Sequence, residues 1–223
     1  MNWTPLWLTL QLALVTTILL FFIALPLSYW LAHTRKKVKP VVETLVSMPL
    51  VLPPTVLGFY MLLAFSPANE FGAFLDQYFK LRLVFSFEGL VLGSILYSLP
   101  FMVHPIQSGF AQLPTSIIDA AYVLGKSKWQ TLWQVQLSNM RASLLTAIVL
   151  SFAHTIGEFG VVLMIGGNIE GQTKVASIAI YDEVESLNYA AAHQYALLLF
   201  LFSFLVLFLV YWRGGQSLKY FQA

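Results

Sequence analysis

The sequence contains no cysteine, which excludes disulfides, thiol catalysis and cysteine-ligated metals. Charge is scarce as well. Only 10% of the 223 residues are Asp, Glu, Lys or Arg, where a soluble domain carries about 25%. That deficit leaves too little charge to cover a water-facing surface. With 58% hydrophobic residues, the chain reads as a single compact membrane domain. No Gly-x-x-x-x-Gly-Lys-Ser/Thr occurs, so this chain does not itself cradle ATP phosphates. Neither Gly-x-Ser-x-Gly nor His-Glu-x-x-His occurs, so familiar hydrolase chemistry is not encoded and no catalytic residue is assigned. There is no internal repeat and no low-complexity stretch, and any energy for work must come from a partner.

What remains is organised by its charge-free runs: Met1–Thr34, Thr44–Asn69, Gly89–Ile118, Ala142–Gly157 and Ser186–Trp212. A helix needs roughly 20 mostly apolar residues to cross the hydrocarbon. The predicted fold is therefore an all-α polytopic membrane protein with about five spans, near 7–31, 45–65, 88–108, 141–165 and 191–212. The first run is too long for a signal peptide, and its basic residues follow rather than precede it. The basic residues also set orientation. With the amino terminus outside, Arg35, Lys36, Lys37, Lys39, Lys126, Lys128, Arg141, Arg213 and Lys219 fall inside, against Lys80, Arg82 and Lys174 outside. This positive-inside bias gives an N-out, C-in topology and places Asp182, Glu183 and Glu185 outside. The basic turn at His33–Glu43 needs no more than anionic headgroups to explain it. A short interfacial helix is predicted around Phe71–Phe79.

The inner segment 109–140 is neither disordered nor charged enough to be a linker. Ile117, Ile118, Ala121, Leu124 and Gly125 recur at helical spacing and predict a short helix with one apolar face. Ser116 could cap it, with Asp119 three residues on; Gly125 would end it, and Lys126 suits its last turn. A second short helix over about Lys128–Leu137 is predicted to show Trp129, Leu132, Trp133 and Leu137 on one side. An exposed apolar helix–Gly–helix between spans suits docking of a soluble partner.

These residues carry a resemblance. Asp119-Ala120-Ala121-x-x-x-Gly125, nine residues, then Val135-Gln136-Leu137-Ser138 resembles the EAA loop of bacterial ABC-importer permeases. The family pattern has Glu, Ile and a final Pro where this chain has Asp119, Val135 and Ser138. Met48-Pro49-Leu50-Val51-Leu52-Pro53-Pro54-Thr55-Val56-Leu57-Gly58 is similar to a segment of molybdate permeases. Gly157-Glu158-Phe159-Gly160 resembles one shared by molybdate and sulfate permeases. Gly166-Gly167-Asn168-Ile169-x-Gly171-x-Thr173 looks like their outer loop, with Glu170 in place of a common proline. The resemblance implies a type I ABC-importer permease fold in the bacterial cytoplasmic (inner) membrane. It further implies a homodimer, two ATP-binding-cassette subunits on the cytoplasmic side, an extracytoplasmic substrate-binding protein and an oxyanion substrate. No nucleic acid is involved, and no cofactor is bound by this chain, ATP and Mg belonging to the partner. Ile117, Ile118, Asp119, Ala120, Ala121, Leu124, Gly125, Lys126 and Trp129 would form the coupling helix seated in the ATPase. The short five-span form points to molybdate or tungstate, with sulfate as the alternative.

Independently of family, Ser143, Ala147, Ser151, His154 and Glu158 form one stripe of the fourth span. Such a stripe either lines a pathway at a two-fold axis or permits close helix packing; the sequence leaves both open. Glu158 is the one carboxylate well inside a span. A charge there costs on the order of 2.5–3.5 kcal/mol, so a partner is required. A pathway-facing carboxylate would repel a dianion, so Glu158 is expected to bond backbone groups near a Gly157–Gly160 break, with a gate role as the alternative. His154 and Glu158 alone do not make a metal site, which needs three or more ligands, with His104 the other candidate considered within a span. Pro49, Pro53 and Pro54 break the second span's hydrogen-bond ladder, for a pathway or for a packing kink. No Lys or Arg lies within a span, so a dianion would meet only hydroxyls such as Ser151 and Thr155, amides and helix ends. The pathway candidates are thus Pro53, Pro54, Ser143, Ala147, Ser151, His154, Thr155, Gly157, Glu158 and Gly160. Two other classes compete: an ion-coupled secondary transporter with Glu158 and His154 as a proton relay, and a membrane-embedded enzyme using the same pair.

Overall fold

A computed structural model describes the backbone of residues 2–219 and the side chains of 2–208 and 212. The side chains of Arg213 and Lys219, counted on the inner side, lie outside the described residues. The helices are α1 (Thr4–His33), α2 (Lys39–Ser47), continued by a 3-10 turn at Met48–Leu50, α3 (Pro54–Phe65), α4 (Glu70–Phe79) and α5 (Phe87–Ala111). Then come α6 (Thr115–Val123), α7 (Lys128–Gln130), a π-helical stretch Thr131–Gln136, α8 (Leu137–Asn139), α9 (Arg141–Ile156), α10 (Gly160–Gly166), α11 (Ala176–Glu185) and α12 (Tyr189–Lys219). No strand occurs among the described residues.

Side-chain pairings fix how these helices run. Ser28 on α1 donates to the Val103 carbonyl on α5 at 3.1 Å, and Leu8 and Gln11 share a cleft with Phe87 and Glu88. Hence α1 and α5 start together and end together, and the chain between them must return across the bilayer. It does so along α5: Glu43 pairs with Gln107, Ser47 with His104, and Gly93 approaches Met61. Similarly, Gly109 meets Ser143, while higher up Gly93 meets Val161 and Gly166 meets Leu90. So α9 and α10 run antiparallel to α5. Finally, α12 begins beside the amino terminus, where the Tyr195 hydroxyl donates to the Asn2 carbonyl at 2.8 Å. The crossings alternate in five steps, and Arg35–Lys39, Lys126, Lys128 and Arg141 share one end, as the N-out, C-in topology requires.

Two of the five expected spans are not single helices. The second starts earlier than 45, at Lys39, and turns by 109° between Leu50 and Pro54. Pro53 and Pro54 have no N–H to continue the ladder, and Val56 N–H instead folds back on the Pro53 carbonyl at 2.9 Å. The fourth span, expected at 141–165, stops at Ile156 and restarts at Gly160. Lipid provides no hydrophobic drive between helices, so association depends on close approach of small residues. A Cβ on Gly58 would lie 2.6 Å from Met164 Cβ, on Gly93 2.9 Å from Val161, and on Gly109 2.8 Å from Ser143 Cβ. These notches let α3, α10, α5 and α9 seat against one another.

The interfacial helix expected around Phe71–Phe79 is α4. By contrast, α11 lies in what was expected to be an outer loop. Its Ala176, Ile178 and Ala179 are buried, and Ala176 N–H is held by Thr9 Oγ1 of α1 at 2.8 Å.

Candidate functional site

The inner segment folds as two short helices with a sharp turn between them. α6 closes in a Schellman motif: Gly125 N–H bonds the Tyr122 carbonyl at 2.9 Å and Lys126 N–H bonds Ala121 at 3.0 Å. This geometry places Gly125 at φ +77°, the left-handed region that glycine enters without penalty. The expected Ser116 cap is absent. α6 begins at Thr115 after Pro114, which serves as its cap position and offers no side-chain bond. The capping box belongs instead to the next helix, where Ser127 and Gln130 bond each other's backbones at 3.3 and 2.9 Å. There the expected single apolar side is also corrected. The π-helical stretch over Thr131–Gln136 shifts the register, so Leu137 is buried and Leu132 packs on the core, while Trp129 and Trp133 stay exposed.

Of the residues expected to face a partner, Ile117, Asp119, Ala120, Leu124, Gly125 and Trp129 are exposed, Ile118 and Lys126 half-buried, and Ala121 buried as the inward anchor. Val123 and Leu124 are 87% and 78% exposed, forming with Tyr122, Trp129 and Trp133 an apolar knob. Tyr122 and Val123 escape a reading based on helical spacing, because the Schellman turn rather than the helix face presents them. Beyond Asn139 the chain bends by 75° into α9, although Ser138 replaces the family's proline.

The two helix breaks, predicted separately, meet. A Cβ on Gly160 would lie 2.6 Å from Pro54 Cβ and 3.3 Å from the Thr55 nitrogen, so α3 and α10 start side by side. Gly157, just before, is exposed. Glu158 is 5% exposed, close to Ser94 and Tyr97. The expectation that its carboxylate bonds backbone groups is overturned: neither oxygen has a hydrogen-bond partner among the described residues. Its main chain takes that part, the Glu158 carbonyl accepting from Ser177 Oγ at 2.6 Å. The Ser94 hydroxyl, equally buried, also lacks a partner by strict geometry.

The α9 stripe lies against α5 and α1. Ala147 and Ser151 are fully buried, Thr155 nearly so, and Ser143 fills the notch at Gly109. Close packing accounts for these four positions within one chain. His154 stacks on Phe101 with centroids 4.1 Å apart and bonds Ser98 Oγ through Nδ1 at 2.9 Å. Because Thr155 Oγ1 donates to the Ser151 carbonyl at 2.9 Å, it accepts from Ser98 at 3.1 Å. Ser98 is thus left to accept from His154, which assigns the proton to Nδ1. No direct bond joins His154 to Glu158. Among the described residues no group of three or more His, Asp or Glu could hold a metal ion.

Comparison with known proteins matches residues 24–213 to the family model described as "Binding-protein-dependent transport system inner membrane component". The chain is 47% identical over 205 residues to the molybdenum transport system permease protein ModB of Azotobacter vinelandii, covering 92% of this chain and 90% of that protein. It is 33% identical to the putative molybdenum transport system permease protein YvgM of Bacillus subtilis, over 93% of this chain and 91% of the other. To the sulfate transport system permease protein CysT of Escherichia coli it is 30% identical, spanning 90% of this chain but 72% of that longer one. Among solved structures, an inward-facing MetNI methionine ABC transporter superposes with a TM-score of 0.71 at 18% identity, covering 96% of this chain and 93% of that one. A bacterial ABC transporter that imports the acidic polysaccharide alginate gives 0.76 at 14% identity, over 97% and 78%. At these identities the structural likeness shows the fold.

Proposed function

Since this chain belongs to the binding-protein-dependent transport system inner membrane component family, we propose that it is the permease subunit of an ATP-driven importer for molybdate. It is a multi-pass inner-membrane protein and not itself an enzyme. The observation that carries the substrate is the near-complete alignment with the Azotobacter molybdenum permease. The sulfate permease is more distant and longer. Tungstate, a tetrahedral dianion of the same shape, is a second substrate of the same chemistry.

In this reading two copies associate about a two-fold axis, because five crossings are too few to enclose a path and identical chains pair most simply that way. The apolar knob around Val123, Leu124 and Trp129 seats in a separate ATPase on the inner side. The Schellman turn and the helical segment Lys128–Asn139 that leads into α9 would carry a push on the knob, with Lys126 Nζ bonded to Gln134 at 2.6 Å across the turn. α9 in turn packs on α5, and α10 on α3, so the breaks at Pro53–Pro54 and Gly157–Gly160 are where the halves of each span can pivot. An outside receptor supplies affinity, in keeping with spans whose basic residues, Lys39 and Arg141, stand only at their inner ends.

The test is complementation. In a bacterium lacking its own molybdate permease, expression of this chain with its cognate ATPase and receptor should restore cellular molybdenum, read by mass spectrometry. Restored sulfate uptake without restored molybdenum would move the assignment to sulfate.

A further inference from the structure

The outward surface of the spans is apolar along α1 (Leu14, Ile18, Phe22) and α12 (Leu201, Phe204, Phe208). One face breaks the pattern. Where α2 lies along the inner third of α5, Glu43, Thr44 and Ser47 oppose His104, Gln107 and Ser108, lining two adjoining cavities of about 310 and 560 Å³ that share Glu43. His104 lies four residues inside the inner edge of the 88–108 span, about 6 Å in at 1.5 Å per residue, with Gln107 and Ser108 at that edge. At that depth polar side chains open to lipid are costly, and they are found facing a bundle interior or a water-filled cavity. The upper end of the larger cavity is closed by Met48, Val51 and Leu52, directly below the break at Pro53–Pro54. Val51, 84% exposed, stands at that corner as an apolar tip.

We infer that this inner polar face of α2 and α5 is the last binding station for the tetrahedral oxyanion before its release to the cytoplasm, with His104, Gln107 and Ser108 as its donors. The inference rests on the transport reading above. A tetrahedral oxyanion offers four acceptor oxygens and needs converging N–H and O–H groups. Ser108 accepts from Gln112 at 2.7 Å, which leaves its own hydroxyl proton to donate. Gln107 spends one amide proton on Glu43 at 2.7 Å and keeps the other. His104 Nε2 is paired with Ser47 Oγ at 3.1 Å, a contact either group can turn toward a ligand. The Glu43 carboxylate faces the same space. A bare carboxylate there would repel the dianion, but Glu43 is countered by Lys39, 3.8 Å away, and by the Gln107 amide. Neutral donors, with the one nearby cation already paired to Glu43, give binding weak enough to leave, as a conducting site requires.

The absence of native cysteine makes the test direct. In the assembled transporter in vesicles, Ser108→Cys should react with a charged, membrane-impermeant maleimide applied from the inner side, whereas Phe204→Cys on the apolar face of α12 should not. Millimolar molybdate should slow Ser108→Cys labelling about tenfold, and replacing anionic by zwitterionic lipid should leave it unchanged. His104→Ala should slow molybdate uptake about tenfold at limiting substrate, equivalent to roughly 1.4 kcal/mol, with His104→Gln recovering most of it. An unreactive Ser108→Cys would overturn the station, because the face would then be covered. Protection that follows anionic lipid rather than molybdate would also overturn it, assigning the site to headgroup phosphate. Both results leave wild-type uptake intact, whereas a wild-type assembly that moves no molybdate would bring down the transport reading itself.

Discussion

The Glu158 carboxyl is buried close to Ser94 and Tyr97 at the start of α10, and neither oxygen has a hydrogen-bond partner among the described residues, a position that costs on the order of 2.5–3.5 kcal/mol when charged. Removing the charge while keeping the shape should relieve that cost. Glu158→Gln is expected to raise the thermal midpoint of the purified assembly and to keep molybdate uptake within about twofold, since one neutral hydrogen-bond change is worth about 1 kcal/mol or less. A lower midpoint, or loss of uptake in an intact assembly, would show that the carboxylate itself is needed. Gly160 gives the opposite expectation. A Cβ there would lie 2.6 Å from Pro54 Cβ, so Gly160→Val should force α3 and α10 apart and destabilise by about 1–3 kcal/mol, seen as a lower midpoint and poorer yield. The sequence marks both residues as unusual. It does not show that the two breaks adjoin, because that contact joins positions about a hundred residues apart. Nor does helical spacing reveal which neighbour the α9 stripe meets: Ser143, Ala147 and Ser151 read the same whether they face a pathway or Gly109 of α5.

At the scale of elements, the coupling segment depends on a turn more than on a helix face. Gly125 has open space around its Cβ position and φ +77°, so a substitution acts through backbone strain and through what it presents. Gly125→Asp is expected to leave the protein in the membrane but to abolish co-purification of the ATPase. Gly125→Asn, which tolerates the left-handed region, should retain most of it. Undiminished ATPase with the Asp variant would remove the knob from the docking surface. The existence of this segment was legible from Ile117, Ala121 and Gly125, whose spacing and terminal glycine report local physics. The second helix was legible too, but its register was not, since the π-helical stretch goes with the burial of Thr131 and Gln136, which is a tertiary matter. α11 was missed for a related reason. Lys174, Asp182, Glu183 and Glu185 disqualify the segment as a span by charge, yet Val175, Ala176, Ile178 and Ala179 form an inward face at helical spacing. Those charges are accounted for locally, Lys174 with Asp182 at 2.5 Å and Tyr181 with Glu185 at 2.8 Å.

At the scale of the molecule, composition carried most of the topology. Long charge-free runs and a basic inner side are one-dimensional signals, and the five alternating crossings follow from them. What they cannot encode is that two crossings are made in pieces, which places hinge points where α3 and α10 begin. The account's central claim is that this chain moves molybdate using ATP hydrolysed by a partner. The measurement that tests it most directly is uptake of radiolabelled molybdate into liposomes holding this chain, its neighbouring ATPase and the cognate receptor, with excess sulfate and a proton uncoupler as competitors. The expected result is accumulation that requires ATP and resists both. Uptake that ignores ATP and collapses with the proton gradient would contradict the account.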